Sequence, residues 1–117
     1  MDPPETREAQ MTTIYAIHAP EEAKLEAVIA EMRVLGAPTI RAIDCGDHLM
    51  ALEGSHRLAA AAALKLTPMF EIIEQDEEID ISGYDWFEAQ NWGGTVYAAG
   101  EVAGELFSPR QAVDYRF

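Results

Sequence analysis

The sequence predicts a small α/β (α+β) domain, a mixed sheet with helices packed on it, and three observations carry that prediction. Short β-type runs at 14–18, 39–44, 48–52 and 69–73 alternate with two stretches of helical periodicity. Apolar residues make up 49% of the chain and charged residues 25%, the balance of a chain that buries a core and not of a disordered one. At 117 residues there is room for one such core but not for two ordinary domains.

Residues 1–12 are rich in Pro, Glu and Thr without periodicity and read as a flexible N-terminal arm, leaving 13–117 as the domain. Ile14-Tyr15-Ala16-Ile17-His18 is the first extended run. Ala19-Pro20-Glu21-Glu22 then supplies the proline and the acidic first turn of a helix. Leu25, Val28, Ile29, Met32 and Leu35 recur at helical spacing along one apolar face, and Gly36 and Pro38 stop it. A β-branched run from Thr39 reaches Ala42 or Asp44, Cys45-Gly46-Asp47 is turn chemistry, and His48-Leu49-Met50-Ala51-Leu52 returns as the second strand of a hairpin. The Ala- and Leu-rich stretch 58–66 is the strongest local helix signal, ended by Thr67-Pro68, and Met69-Phe70-Glu71-Ile72-Ile73 follows as a strand.

Beyond it the pattern weakens. The acidic stretch Glu74-Gln75-Asp76-Glu77-Glu78 leads to Tyr84-Asp85-Trp86-Phe87 and to the turn Trp92-Gly93-Gly94. Residues 96–106, interrupted by Gly100 and Gly104, fit either a strand or a loose helix, and Ser108-Pro109-Arg110-Gln111 has the composition of an N-cap opening a last short helix.

No apolar run approaches the roughly 18 residues of a membrane span, and Met1-Asp2-Pro3-Pro4-Glu5 lacks the layout of a signal peptide, so the expectation is a cytoplasmic protein without a membrane partner. The lone Cys45 forms no internal disulfide, sits in no zinc-type spacing and reads as a half-buried small residue. Eight Lys and Arg against 21 Asp and Glu give a net charge of −13, a field that repels phosphate backbones and argues against direct binding of duplex nucleic acid. A small nucleotide is not excluded, because a local pocket of amides and one or two cations holds it against that field, the more so with a bound metal ion.

The segment that carries chemistry is Glu53-Gly54-Ser55-His56-Arg57. A strand that ends in glycine and opens into an alanine-rich helix leaves unpaired N–H groups at the positive end of the macrodipole, which is an anion site. Gly54 permits close backbone approach, Ser55 acts as N-cap or donates its hydroxyl, Arg57 supplies a fork suited to phosphate oxygens, and His56 is a further donor. Each has a plainer reading: Ser55 only caps the helix, Arg57 only pairs with a surface carboxylate, His56 is a satisfied turn residue. Four compatible groups on one helix end favour the anion site over four separate accidents.

Leu52-Glu53-Gly54-Ser55-His56-Arg57-Leu58-Ala59-Ala60-Ala61, followed by Leu64-Lys65-Leu66-Thr67-Pro68-Met69-Phe70-Glu71-Ile72-Ile73, resembles the core of the ParB/sulfiredoxin superfamily. There a Gly-x-x-Arg or Gly-x-His-Arg turn opens a helix, an Ala pair packs it on the sheet, and a short loop leads to the next strand. The upstream order also fits, so the resemblance covers residues 14–75 and leaves 76–117 as a C-terminal extension. It implies a turn that holds nucleotide phosphates, those of CTP in ParB-type switches, ATP in sulfiredoxins and ADP in the related free-serine kinases. By that analogy Gly54, Ser55, His56 and Arg57 line the phosphate site of a nucleoside triphosphate or diphosphate of unspecified base, accompanied by Mg2+. Sulfiredoxins carry Cys where this chain has Ser55, and the helix-turn-helix and Glu-Asn-x-x-Arg element of ParB proteins are not recognisable here.

The serine-kinase relatives place an acidic residue just before the glycine, as Glu53 stands here. The resemblance thus implies a catalytic Glu53 that orients a hydroxyl or accepts its proton; a solvated strand end or a helix-dipole partner is the alternative. A second carboxylate would come from the first helix, for instance Glu22 or Glu26. Asp76-Glu77-Glu78-Ile79-Asp80 either places magnesium beside the phosphates or is solvated surface, and Trp86, Phe87 and Trp92 read as a small core under the C-terminal segment and not as a base-stacking platform.

Two functional classes follow. One is a nucleotide-binding domain with weak nucleotide hydrolysis or phosphoryl transfer. The other is a non-enzymatic acidic module that engages a basic protein partner. Either accommodates a homodimer, which no heptad pattern demands.

Overall fold

The computed structural model describes residues 12–108 and 110–117. In chain order they form β1 (Thr13–Ala16), α1 (Glu22–Leu35), β2 (Thr39–Asp44), β3 (Leu49–Ala51), α2 (Ser55–Leu64), β4 (Met69–Ile73), β5 (Glu78–Asp80), a single 3-10 turn at Ala89–Asn91, β6 (Val96–Ala98), α3 (Ala99–Leu106) and β7 (Val113–Arg116). The fold is α+β: a mixed five-stranded sheet in the order β4-β2-β3-β1-β7, a two-stranded sheet of β5 and β6, and three helices among the described residues.

The predicted hairpin is present as antiparallel β2 and β3, with Ile43 opposite Met50. β1 runs parallel to β3 and β2 parallel to β4, so α1 and α2 are the crossovers that return the chain to the sheet. Strand alternation sorts side chains to two faces. Ile14, Ala16, Ile40, Ala42, Leu49 and Ala51 form one buried cluster with Leu58 of α2. On α2, Ala60 and Ala61 pack with Met32 of α1, flanked by Leu25, Val28 and Ile29, which is the apolar face that the spacing predicts. Val34 and Leu35, at the exposed end of α1, stay outside that contact.

The opposite face of the sheet, Ile43, Met50 and Ile73 with Leu52, is covered by the C-terminal segment through Ile81, Ala99, Val102, Ala103 and Leu106. Residues 96–106 resolve into strand and then helix. α3 buries Ala99, Val102, Ala103 and Leu106, the i, i+3, i+4, i+7 set of an amphipathic helix. β6 pairs with β5, which the sequence reading missed inside the acidic stretch.

Two expectations are corrected at the ends of the domain. The short last helix after Ser108 is instead a turn, closed by Gln111 N–H and Ala112 N–H donating to the Ser108 carbonyl, followed by β7; the part that falls on Pro109 lies outside the described residues. Val113-Asp114-Tyr115-Arg116-Phe117 alternates with period two, and pairing of β7 antiparallel to β1 decides in favour of strand. Thr12, assigned to the arm, exchanges both backbone hydrogen bonds with Phe117 at 2.9 Å and belongs to this ladder; residues 1–11 lie outside the described residues. Among the described residues no helix is long and apolar enough to cross a membrane.

α2 ends in a left-handed Lys65 (φ 60°, ψ 38°), with Leu66 N–H bonded to the Ala61 carbonyl at 2.9 Å. A Cβ in that region costs about 1–2 kcal/mol, part of which glycine gives back as unfolded-chain entropy. Lys65→Gly is therefore expected to stabilise the domain by about 0.5–1 kcal/mol, read as a higher urea midpoint at unchanged m-value.

Candidate functional site

All five residues of the turn singled out by the sequence, Glu53, Gly54, Ser55, His56 and Arg57, line one cleft of about 610 Å³. Local structure aims them there. β3 ends at Ala51, Gly54 adopts φ 89° and ψ 30°, and Leu58 N–H donates to the Gly54 carbonyl at 2.8 Å as the first helical bond. The N–H groups of Ser55, His56 and Arg57 precede that bond and have no intrahelical acceptor.

Gly54 takes the N-cap position and Ser55 is the first helical residue, which corrects the reading of Ser55 as N-cap. The reason is conformational: the chain enters the helix through a positive φ that glycine adopts freely. Ser55 is only 9% exposed and lines the cleft. At that position its hydroxyl is a donor and acceptor open to a group that enters the cleft.

His56 Nε2 accepts the Glu21 N–H at 3.0 Å, a bond that requires the Nδ1–H tautomer and leaves that N–H as the donor. The same bond caps α1, whose N-cap residue Glu21 makes no side-chain cap of its own. Arg57 donates from Nη1 to the Thr39 carbonyl at 3.2 Å, and its Nη2 lies 3.8 Å from Glu53 Oε2. Both members of that pair are about 40% exposed, 40% for Arg57 and 42% for Glu53. An exposed i,i+4 pair contributes about 0.3–0.5 kcal/mol, little enough for a phosphate to displace it.

Two walls complete the cleft. Glu21 and Lys24 come from the start of α1 and His18 from the loop that precedes it, so two helix N-termini, each equivalent to roughly half a positive charge, meet at one cavity. Lys24 Nζ is 3.7 Å from Glu21 Oε2. Glu22 and Glu26, the candidates for a second carboxylate, do not line the cleft; Glu21 and Asp85 do. The Glu21–His56 bond fixes the rotation of α1 so that residues 21 and 24, one helical turn apart, face inward.

The other wall is Tyr84, Asp85 and Trp86 from the C-terminal segment. Tyr84 and Trp86 stack with centroids 5.2 Å apart and planes 5° from parallel. Trp86 Nε1 donates to the Leu52 carbonyl at 2.6 Å, and Arg41 Nη1 donates to Tyr84 Oη at 2.8 Å. Burial pushes the Tyr84 phenol above its ordinary pKa; Arg41 opposes the rise, and Glu53 and Glu71 add to it. Trp86, Phe87 and Trp92 do pack on the core beneath the C-terminal segment, as the sequence suggests, but Trp86 also faces the cleft. Lys24, His18 and Tyr84 escaped sequence reasoning because only tertiary packing brings them to the turn.

The acidic segment does not reach this site. Glu77 Oε2 accepts the Glu74 N–H at 2.9 Å, Asp80 Oδ1 accepts from Ser82, and Asp76 lines a separate depression with Asp44 and Glu74. These carboxylates lie on a turn and a strand at the surface, outside the cleft that Glu53 to Arg57 line. Among the described residues no group of three or more His, Cys, Asp or Glu is arranged to hold a metal ion unaided. Cys45 is half-buried with Sγ 3.6 Å from the Ile43 carbonyl. Burial, then Asp44 and Asp47, raise its thiol pKa, so it is not primed as a nucleophile.

Comparison of the chain with protein-family models, curated proteins and solved structures gives no match.

Proposed function

We propose that this cleft binds the phosphates of a nucleotide. The observation that carries the reading is the convergence of Gly54, Ser55, His56 and Arg57, at the N-terminus of α2, on one cleft that the start of α1 also lines. The resemblance of residues 14–75 to the ParB/sulfiredoxin superfamily, carried by the same turn and the order of elements around it, supports it. Free N–H groups, the Ser55 hydroxyl, His56 Nδ1–H and the Arg57 fork are donors matched to phosphate oxygens.

The cleft also holds the carboxylates Glu21, Glu53 and Asp85, of which the first two are paired with Lys24 and Arg57. Mg2+ is characteristically held by one or two carboxylates together with substrate phosphates, so Asp85 or Glu53 would hold the ion once a nucleotide supplies the remaining oxygens. The ion would neutralise phosphate charge. In weak hydrolysis or phosphoryl transfer, Glu53 is the residue placed to orient the attacking hydroxyl or water. A nucleotide ligand also suits a cytoplasmic protein.

The test is thermal stability against ATP, ADP, CTP, GTP and inorganic phosphate, with and without magnesium. A ligand at about 100 times its dissociation constant stabilises the fold by roughly 2.7 kcal/mol. Arg57→Ala is expected to weaken the active nucleotide about 10–100-fold, the worth of a charge-assisted hydrogen bond. Unaltered affinity in that variant would remove Arg57 from the site. A flat panel would favour the other reading, a module that engages a basic protein, for which the net charge of −13 is the observation.

A further inference from the structure

We infer that Tyr84, backed by Trp86, is the platform on which the base of that nucleotide stacks, and that the C-terminal segment thereby selects nucleotides over other phosphate compounds; the inference rests on the phosphate-binding reading above. Four rings run in a row, Tyr97 to Trp92 at 5.3 Å, Trp92 to Trp86 at 5.8 Å, and Trp86 to Tyr84 at 5.2 Å. Among the described residues Trp86 has two aromatic neighbours, Trp92 and Tyr84, whereas Tyr84 has Trp86 alone and lines the cleft.

Tyr84 is also held rigidly. Its ring is stacked nearly parallel on Trp86, and its hydroxyl accepts a hydrogen bond from Arg41 of β2. Trp86 in turn is tied to the Leu52 carbonyl, two residues before Gly54. The aromatic wall and the phosphate turn are therefore anchored to each other through one short segment of backbone. A planar base gains about 1–3 kcal/mol from stacking on a fixed ring, a term that inorganic polyphosphate lacks, and the gain corresponds to about 5–150-fold in affinity.

The experiment is calorimetric titration of the full chain with ATP, GTP, CTP, UTP and inorganic tripolyphosphate, each with magnesium, repeated on Tyr84→Leu. At least one nucleotide is expected to bind wild type about 5–150-fold tighter than tripolyphosphate. Tyr84→Leu should erase that advantage and leave tripolyphosphate affinity within about twofold. Tripolyphosphate binding as tightly as every nucleotide would overturn the platform and leave the phosphate reading standing. Equal weakening of nucleotides and tripolyphosphate by Tyr84→Leu would also overturn it, since the ring would then act only on the shape of the turn. Binding of none of the five would bring down both readings together. Should Tyr84→Leu not fold, Trp86 fluorescence in a Trp92→Phe protein decides: quenching by a nucleotide but not by tripolyphosphate is expected, and identical spectra with both would overturn the inference.

Discussion

A Gly54→Ala protein is expected to be about 2–5 kcal/mol less stable than its parent in urea denaturation and to lose affinity for any ligand of the turn. Gly54 stands at φ 89°, where a side chain costs about 1–2 kcal/mol. An added Cβ would lie 2.9 Å from Ile40 Cδ1 and 3.4 Å from Arg57 Nη2. Ile40 is wholly buried, so its methyl has no free space to retreat into, and overpacking of this kind adds about 1–3 kcal/mol. The contact with Arg57 couples the two effects, because the guanidinium that would meet phosphate lies across the glycine. A stability change below about 0.5 kcal/mol would mean that the turn relaxes to another backbone conformation, and the amides after Gly54 would then not be fixed toward the cleft.

Much of the fold's helix-covered half is legible from local pattern. The apolar stripe of α1, the Ala-rich α2 and the hairpin of β2 and β3 each follow from spacing and turn chemistry, and the cluster from Glu53 to Arg57 needs only a strand, a glycine and a helix start to be recognised. What stayed hidden depends on packing between segments remote in sequence. β7 is visible as an alternation of apolar and polar residues, but Ser108-Pro109-Arg110 offers a competing helix signal, and only the open edge of β1 decides between them. β5 lies among acidic residues that local propensity assigns to loop, and it forms because β6 offers it a partner. Tyr84 and Trp86 look like core aromatics from sequence and are so in part. Their second role appears only when the segment that carries them folds back over Leu52.

That return of the chain makes the second large prediction. A chain ending after Gln75, which keeps the whole region resembling the ParB/sulfiredoxin core, is expected not to fold cooperatively. It would lose β7, leaving β1 as an unpaired edge, and it would strip the cover from Ile43, Met50, Leu52 and Ile73, the first three wholly buried in the full chain. Each of these side chains contributes about 1.5–3 kcal/mol on burial, together on the order of 6–12 kcal/mol, against a total stability of about 5–15 kcal/mol for a domain of this kind. The expected signature is retained far-UV ellipticity without a cooperative urea transition, together with binding of a hydrophobic dye. A sharp transition in the shortened chain would show instead that the sheet and its two helices stand alone and that residues 76–117 are an accessory. The same segment supplies Tyr84, Asp85 and Trp86 to the cleft. Stability and the shape of the site therefore depend on one piece of chain, and a substitution that loosens its core, such as one at the wholly buried Val102, is expected to impair both.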